Sequence, residues 1–177
     1  MILFDTFKTL PFYPMILTKY SELKKIRREN SDKKIVFCSG TFDLTHAGHV
    51  LFFEDSRKVG DLLVVTVGSD AMIKKNKGDK RPILNEHLRL KLVSSLKPVD
   101  YCLLEMKTKD HPLQHLEYTF KDLRPDIYVI NQDAFDIPFR KKLAKKYKIK
   151  LVVLNRWCPP EYDNISTTKI IEKIKNI

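Results

Sequence analysis

Cysteine is scarce and poorly placed for any structural use. Cys38, Cys102 and Cys158 are odd in number and far apart, and no CxxC pair occurs, so a disulfide framework and a structural zinc site are excluded. A reducing cytoplasm is the expected location. Long apolar runs are also missing: none approaches the roughly 18–20 residues needed to span a bilayer. The opening MILFDTFKTLPFYPMILTKYSELKK has no basic start followed by a clean apolar stretch and a small-residue cleavage site, so no secretory signal is expected. Glycine is rare, with five in 177 residues, and there is no low-complexity tract, repeat or interdomain linker. One globular domain fits that length.

Acidic residues are the minority, 22 against 33 basic ones, for a formal charge of +11. Such a surface suits nucleic acid, anionic lipid or phosphorylated small molecules. Much of the excess lies in Lys24–Arg28, in Lys74–Lys77 with Lys80 and Arg81, and in Arg140–Lys150. The first and third runs fall on expected helices and read as solvated faces. The middle run falls in an expected loop.

Apolar runs alternate with segments of helical period, the pattern of a parallel sheet covered on both faces. Strands are expected at residues 34–38, 62–67, 101–104, 127–130 and 150–154. Helices are expected at 18–29 with Thr18 as cap, 49–59 with Gly60 closing it in a left-handed turn, 85–96, 112–123, 139–147 and 167–174. The expected fold is therefore α/β: a doubly wound, Rossmann-like, five-stranded parallel sheet in a single domain, residues 33–177. Residues 1–32 form a short extension with one helix. Ligands of such sheets bind at the carboxyl ends of the strands. That points to residues 40–49, 68–80, 131–136 and 155–168.

The first of these, Ser39-Gly40-Thr41-Phe42-Asp43-Leu44-Thr45-His46-Ala47-Gly48-His49, runs directly into a helix. Gly40 permits a sharp turn with open backbone N–H groups, and His46 and His49 share one side of the helix start. Gly48 between them lets a bulky group approach. Amide donors, the positive end of a helix dipole and two imidazoles suit a phosphate. A metal pair is the rival reading, but two histidines are too few ligands; a purely structural cap is the plain one. Near the other end, Ile165-Ser166-Thr167-Thr168-Lys169-Ile170 opens a helix with three hydroxyls, a second place to hold phosphate or simply a helix cap.

GTFDLTHAGH followed by ISTTKI resembles the HxGH and ISTxxI signatures of the cytidylyltransferase-like nucleotidyltransferase superfamily. The resemblance covers nearly the whole chain. KIVFCSGTFDLTHAGHVLFFEDSRKVGDLLVVTVGSD and KGDKRPILNEHLRLKLVSSLKPVDYCLL are similar to the adenylyltransferase domain of ADP-heptose synthase. GTFD and ISTTKI are more similar to glycerol-3-phosphate cytidylyltransferase, and LKPVD to the archaeal FAD synthases.

This resemblance implies attack by a phosphorylated acceptor on the α-phosphorus of ATP or CTP, with loss of Mg²⁺-pyrophosphate. The implied catalytic residues are His46, His49, Lys77 and Arg89. Gly40, Thr41, Phe42, Asp43, Gly48, Asp133, Ser166, Thr167 and Thr168 would bind nucleotide, and Asp70 and Arg89 the acceptor. Asp43 and Asp70 are open to two readings, a pocket or Mg²⁺ role and a plain turn. No metal site of the protein's own is expected; Mg²⁺ would enter with the triphosphate. A homodimer is implied, and no membrane. The chain departs from the heptose-type members at Ser39-Gly40-Thr41, where they have Asn-Gly-Cys, and at Asn131-Gln132-Asp133, where they have Gly-Gly-Asp. It has Leu51 where the cytidylyltransferase has lysine. FMN adenylylation is the alternative within the superfamily. A non-catalytic nucleic-acid-binding module is the alternative outside it, disfavoured because the basic runs hold few aromatics.

Overall fold

The structure, a computed structural model, describes residues 15–17, 19–106, 111–155, 158–162 and 165–177. Elements follow in the order β1 (Met15–Ile16), α1 (Glu22–Glu29), β2 (Ile35–Gly40), α2 (Ala47–Arg57), β3 (Leu62–Val67), α3 (Asp70–Lys77) and α4 (Glu86–Ser94). After these come β4 (Tyr101–Leu104), α5 (Gln114–Leu123), β5 (Ile127–Asn131), α6 (Ile137–Lys146), β6 (Lys150–Leu154) and α7 (Thr167–Lys175). All strands pair in parallel, in the order β1-β4-β3-β2-β5-β6. The five expected strands form the sheet, and the two-residue β1 adds an edge that its short pattern could not announce. Among the described residues no helix is long and apolar enough to cross a membrane.

Alternation along each strand divides the core. Ile35 and Phe37 of β2, Leu62 and Val64 of β3, and Tyr128 and Ile130 of β5 pack under α1, α5 and α6. Val36, Cys38, Leu63, Val65 and Val129 pack on the other face, with Phe52 and Phe53 of α2 and Leu90 and Val93 of α4. Because β3 is covered on both sides, all six of its residues are buried. Leu23 and Ile26 of α1 belong to the first core.

At the amino edge of the sheet, each of β3, β4 and β5 is preceded by an aspartate that accepts an N–H from a neighbouring strand start. Asp61 takes Lys34 N at 2.8 Å, Asp100 takes Leu63 N at 2.7 Å and Asp126 takes Ile35 N at 2.8 Å. These bonds satisfy amides that the ladder leaves over.

Some local expectations are corrected. Thr18 lies outside the described residues, and α1 starts after Ser21. Lys74–Lys77 is the last turn of α3, not loop: Ser69 accepts Met72 N at its start, and Gly78 ends it at φ 86°. Gly60 does not take the left-handed conformation. It is glycine because a Cβ there would stand 2.5 Å from Val36 Cγ2 and 2.8 Å from the Lys34 carbonyl.

The chain runs outward from β2 to β3 and β4, then returns to β5 and β6 on the other side. The switch point is between β2 and β5. There the pairing covers only Val36–Ile127 and Phe37–Tyr128, whereas β2 and β3 pair from end to end. The carboxyl halves of β2 and β5 therefore part, opening a crevice where such sheets take ligands.

Candidate active site

The loop from β2 into α2 is tightly wound. Phe42 and Leu44 both sit at positive φ, 50° and 46°. Neither residue type favours that region, so surrounding contacts must hold them there. The Phe42 ring packs on Phe53 with centroids 4.8 Å apart and edge-on to His49 at 5.4 Å. It also explains Gly40, where a Cβ would lie 2.8 Å from that ring.

His46 caps α2. Its Nδ1 accepts from Gly48 N at 3.2 Å, and His49 Nδ1 accepts from His46 N at 3.4 Å, a reciprocal capping box made by two histidines. The rings stack with centroids 3.9 Å apart. Because each Nδ1 offers its lone pair to an amide, each neutral ring carries its hydrogen on Nε2. The helix start thus holds two paired imidazole donors at the positive end of its dipole. Gly48 is explained by the fold-back of His46: a Cβ would stand 3.1 Å from that ring. The imidazole ring lies in the space that glycine leaves open.

Helix α7 arrives against this loop. Ser166 caps it, accepting from Lys169 N at 3.2 Å, and Thr167 Oγ1 donates to the Asp43 carbonyl at 2.9 Å. The two motifs, far apart in sequence, are joined by that hydrogen bond. Thr167 thereby ties the two phosphate-suited segments together. Thr168 is exposed beside it.

Two expected ligand contacts are corrected. The Asp43 side chain is fully shielded, and its carboxylate accepts Arg81 Nε at 3.1 Å, Ile83 N at 2.9 Å and Leu84 N at 3.0 Å. It clamps the segment before α4 and leaves no oxygen for nucleotide or Mg²⁺. Arg89, expected to act in catalysis and to bind the acceptor, is 0% exposed. Its guanidinium donates to the Leu84 carbonyl at 2.8 Å, the Thr41 carbonyl at 2.7 Å and Asp70 Oδ1 at 2.6 Å. Arg89 positions the loop, and Asp70 is its counter-ion. Among the described residues no three His, Cys, Asp or Glu side chains gather as a metal site.

Lys77, at the end of α3, has its ammonium pKa pulled down by desolvation and by Arg81, while Asp43 and Asp133 oppose the shift. Asp133, exposed in the turn after β5, therefore stands close enough to act on Lys77 across the crevice mouth. So the structure gathers His46, His49, Gly40, Thr41, Phe42, Gly48, Ser166, Thr167, Thr168, Lys77 and Asp133 around one sheet edge.

Other groups at that edge were missed. Glu105 directly follows β4, and its carboxylate accepts Ser69 N at 3.0 Å. Burial outweighs that bond and pushes its pKa up to about 7. His115 of α5 bonds through Nδ1 to the Pro112 carbonyl at 3.1 Å, with Glu105 Oε2 at 3.5 Å, and burial lowers its pKa to about 4. The shorter contact takes the Nδ1 hydrogen of a neutral His115, and Glu105 keeps its proton below about pH 7. Arg140, read as part of a solvated basic face, is 7% exposed and contacts Tyr128 and Ser39. The signal for Glu105 was its place immediately after a strand; for Arg140 there was none.

The cytidylyltransferase-like family pattern matches residues 37–173. The bifunctional protein HldE of Campylobacter jejuni strain RM1221 is 35% identical over 97% of this chain, but the match spans only 34% of that protein. The FAD synthase of Aciduliprofundum boonei is 39% identical over 78% of the chain and 89% of that protein. A solved lipopolysaccharide core biosynthesis protein from Thermoplasma volcanium superposes at TM-score 0.56 with 31% identity, covering 70% of this chain and 95% of that one. A pantoate-beta-alanine ligase from Francisella tularensis shares the fold at TM-score 0.60 and 16% identity, over 92% of this chain and 78% of that one. The chain belongs to the cytidylyltransferase-like family and is a nucleotidyltransferase by class.

Proposed function

We propose that the chain transfers a nucleoside monophosphate from a triphosphate to a sugar or polyol phosphate. A phosphate oxygen of the acceptor attacks the α-phosphorus, the bond from that phosphorus to the bridging oxygen breaks, and pyrophosphate leaves with the electron pair. The observation that carries this reading is the junction of the two motifs. Thr167 binds the Asp43 carbonyl, so the starts of α2 and α7 face one cleft. His46 and His49 Nε2–H groups stabilise charge on the α-phosphate, aided by loop amides near Thr41 and Phe42. Ser166 and the first-turn amides of α7 hold the β- and γ-phosphates, and Lys77 adds a cation. Mg²⁺ arrives bound to the triphosphate, since among the described residues no three His, Cys, Asp or Glu side chains gather to hold it.

The resemblance of the lead-in and the KGDKRPI–VDY block to ADP-heptose synthase favours ATP over CTP, and a cytoplasmic setting supplies either. The second reading is FMN adenylylation, supported by the FAD synthase match over most of that protein's length. A pyrophosphate-release screen tests both, pairing ATP or CTP with heptose-1-phosphate, glycerol-3-phosphate, other sugar phosphates and FMN. Release with ATP and a sugar phosphate supports the first reading. Release with FMN alone transfers the assignment to FAD synthesis.

A further inference from the structure

The crevice between β2 and β5 contains a charge whose neutralisation within the protein is incomplete. Arg140 reaches it from α6, with Nε donating to the Phe135 carbonyl at 2.7 Å and an Nη contacting Tyr128 Oη and, at 3.4 Å, Ser39 Oγ. Among the described residues no carboxylate oxygen lies within 4.0 Å of its nitrogens. Glu105 feels its charge from farther away. A guanidinium this buried is ordinarily paired with an anion, since neutral acceptors repay only part of its lost hydration. Nearby, His115 is 2% exposed and its Nε2 has no hydrogen-bond partner among the described residues. With its hydrogen on Nδ1, that nitrogen is an acceptor in need of a donor.

The two deficits are complementary to one kind of molecule: an oxyanion for Arg140 and a hydroxyl for His115. Their position also fits. Ser39 and Tyr128 stand where the two strands part, one residue before Gly40 and the phosphate-suited loop, but on the opposite face of the sheet from α2. An occupant there would approach the reacting centre from the side that the triphosphate leaves open. We propose that Arg140, with Tyr128 and Ser39, seats an oxyanion of the phosphorylated acceptor, and that His115 Nε2 accepts from one of its hydroxyls. This rests on the nucleotidyl-transfer reading for the acceptor's role, though not for the existence of an anion site.

The test uses inorganic phosphate as probe, titrated calorimetrically into the full chain with α,β-methylene-ATP and Mg²⁺ already saturating the triphosphate site. The wild type should bind phosphate, and Arg140→Gln should weaken that binding by about tenfold or more, the usual scale for a charge-assisted hydrogen bond. Affinity for the ATP analogue should stay unchanged, as should phosphate binding by Lys141→Ala, which removes an exposed neighbouring charge. Arg140→Lys and Ser39→Ala provide milder variants should Arg140→Gln fail to fold; each should also weaken phosphate binding. The proposal is overturned if the wild type binds no phosphate under these conditions, or if the folded variants bind it as tightly as the wild type. Should the analogue itself not bind, Arg140-dependent phosphate binding would still support the anion site, and the nucleotidyl-transfer reading would be the one to fall.

Discussion

Replacing His115 by glutamine should expose a pH dependence of stability that the intact protein largely conceals. His115 is held neutral, with a pKa near 4 in place of 6.5. Between those values the unfolded chain takes up a proton that the folded one refuses, so stability rises with pH across that window, by about 3 kcal/mol. Glu105 runs in the opposite sense. Its pKa moves from 4.5 to about 7, so between those values the folded chain keeps a proton that the unfolded one has lost. Stability then falls as pH rises, again by about 3 kcal/mol. From about pH 4.5 to 6.5 the two slopes oppose and nearly cancel. In His115→Gln only the Glu105 slope survives, so stability relative to wild type should fall with rising pH. Glu105→Gln should do the reverse, gaining stability relative to wild type from about pH 4.5 to 7. Urea denaturation of the three proteins at several pH values, read by circular dichroism, measures these differences while other groups drop out. Curves for both variants that run parallel to the wild type would refute the reasoning.

Asp43→Asn should destabilise the fold by about 3–5 kcal/mol, because it leaves Arg81 without its buried partner and offers amide hydrogens to the Ile83 and Leu84 amides. Urea unfolding measures the loss, and a cost below about 1 kcal/mol would mean the clamp is not what holds that segment. Thr167→Val keeps the shape of the side chain and deletes its hydrogen bond to Asp43. Triphosphate affinity should drop several-fold, about 1 kcal/mol, with acceptor affinity unaffected; equal losses for both would contradict the placement of α7.

What was legible in the sequence was what repeats along it. The run Leu62–Val67 reads as a strand because every position must be apolar when both faces are covered, and the structure buries all six. Asn85 and Ser166 stand at the starts of runs of helical period, where such side chains commonly cap, and both accept amides there. The His46–Gly48–His49 spacing located the helix start, although not why the glycine is there. What stayed hidden depends on which way a single side chain turns. Arg140 and Lys141 are neighbours in a basic run; one enters the crevice and the other faces water. Arg89 sits on a polar-looking helix yet is wholly enclosed by Leu84, Thr41 and Asp70. The Asp61, Asp100 and Asp126 pattern was visible as letters, but its meaning requires knowing which strands are neighbours.

The most direct test of the account is to follow, by ³¹P NMR, where the triphosphate is cut and whether His49 matters. With ATP, Mg²⁺ and the acceptor found by the screen, the account predicts free pyrophosphate together with the coupled doublets of a new phosphoanhydride. His49→Ala should slow their appearance by about 10²–10³-fold without unfolding the protein. Release of inorganic phosphate and ADP instead, or an unchanged rate in His49→Ala, would contradict it.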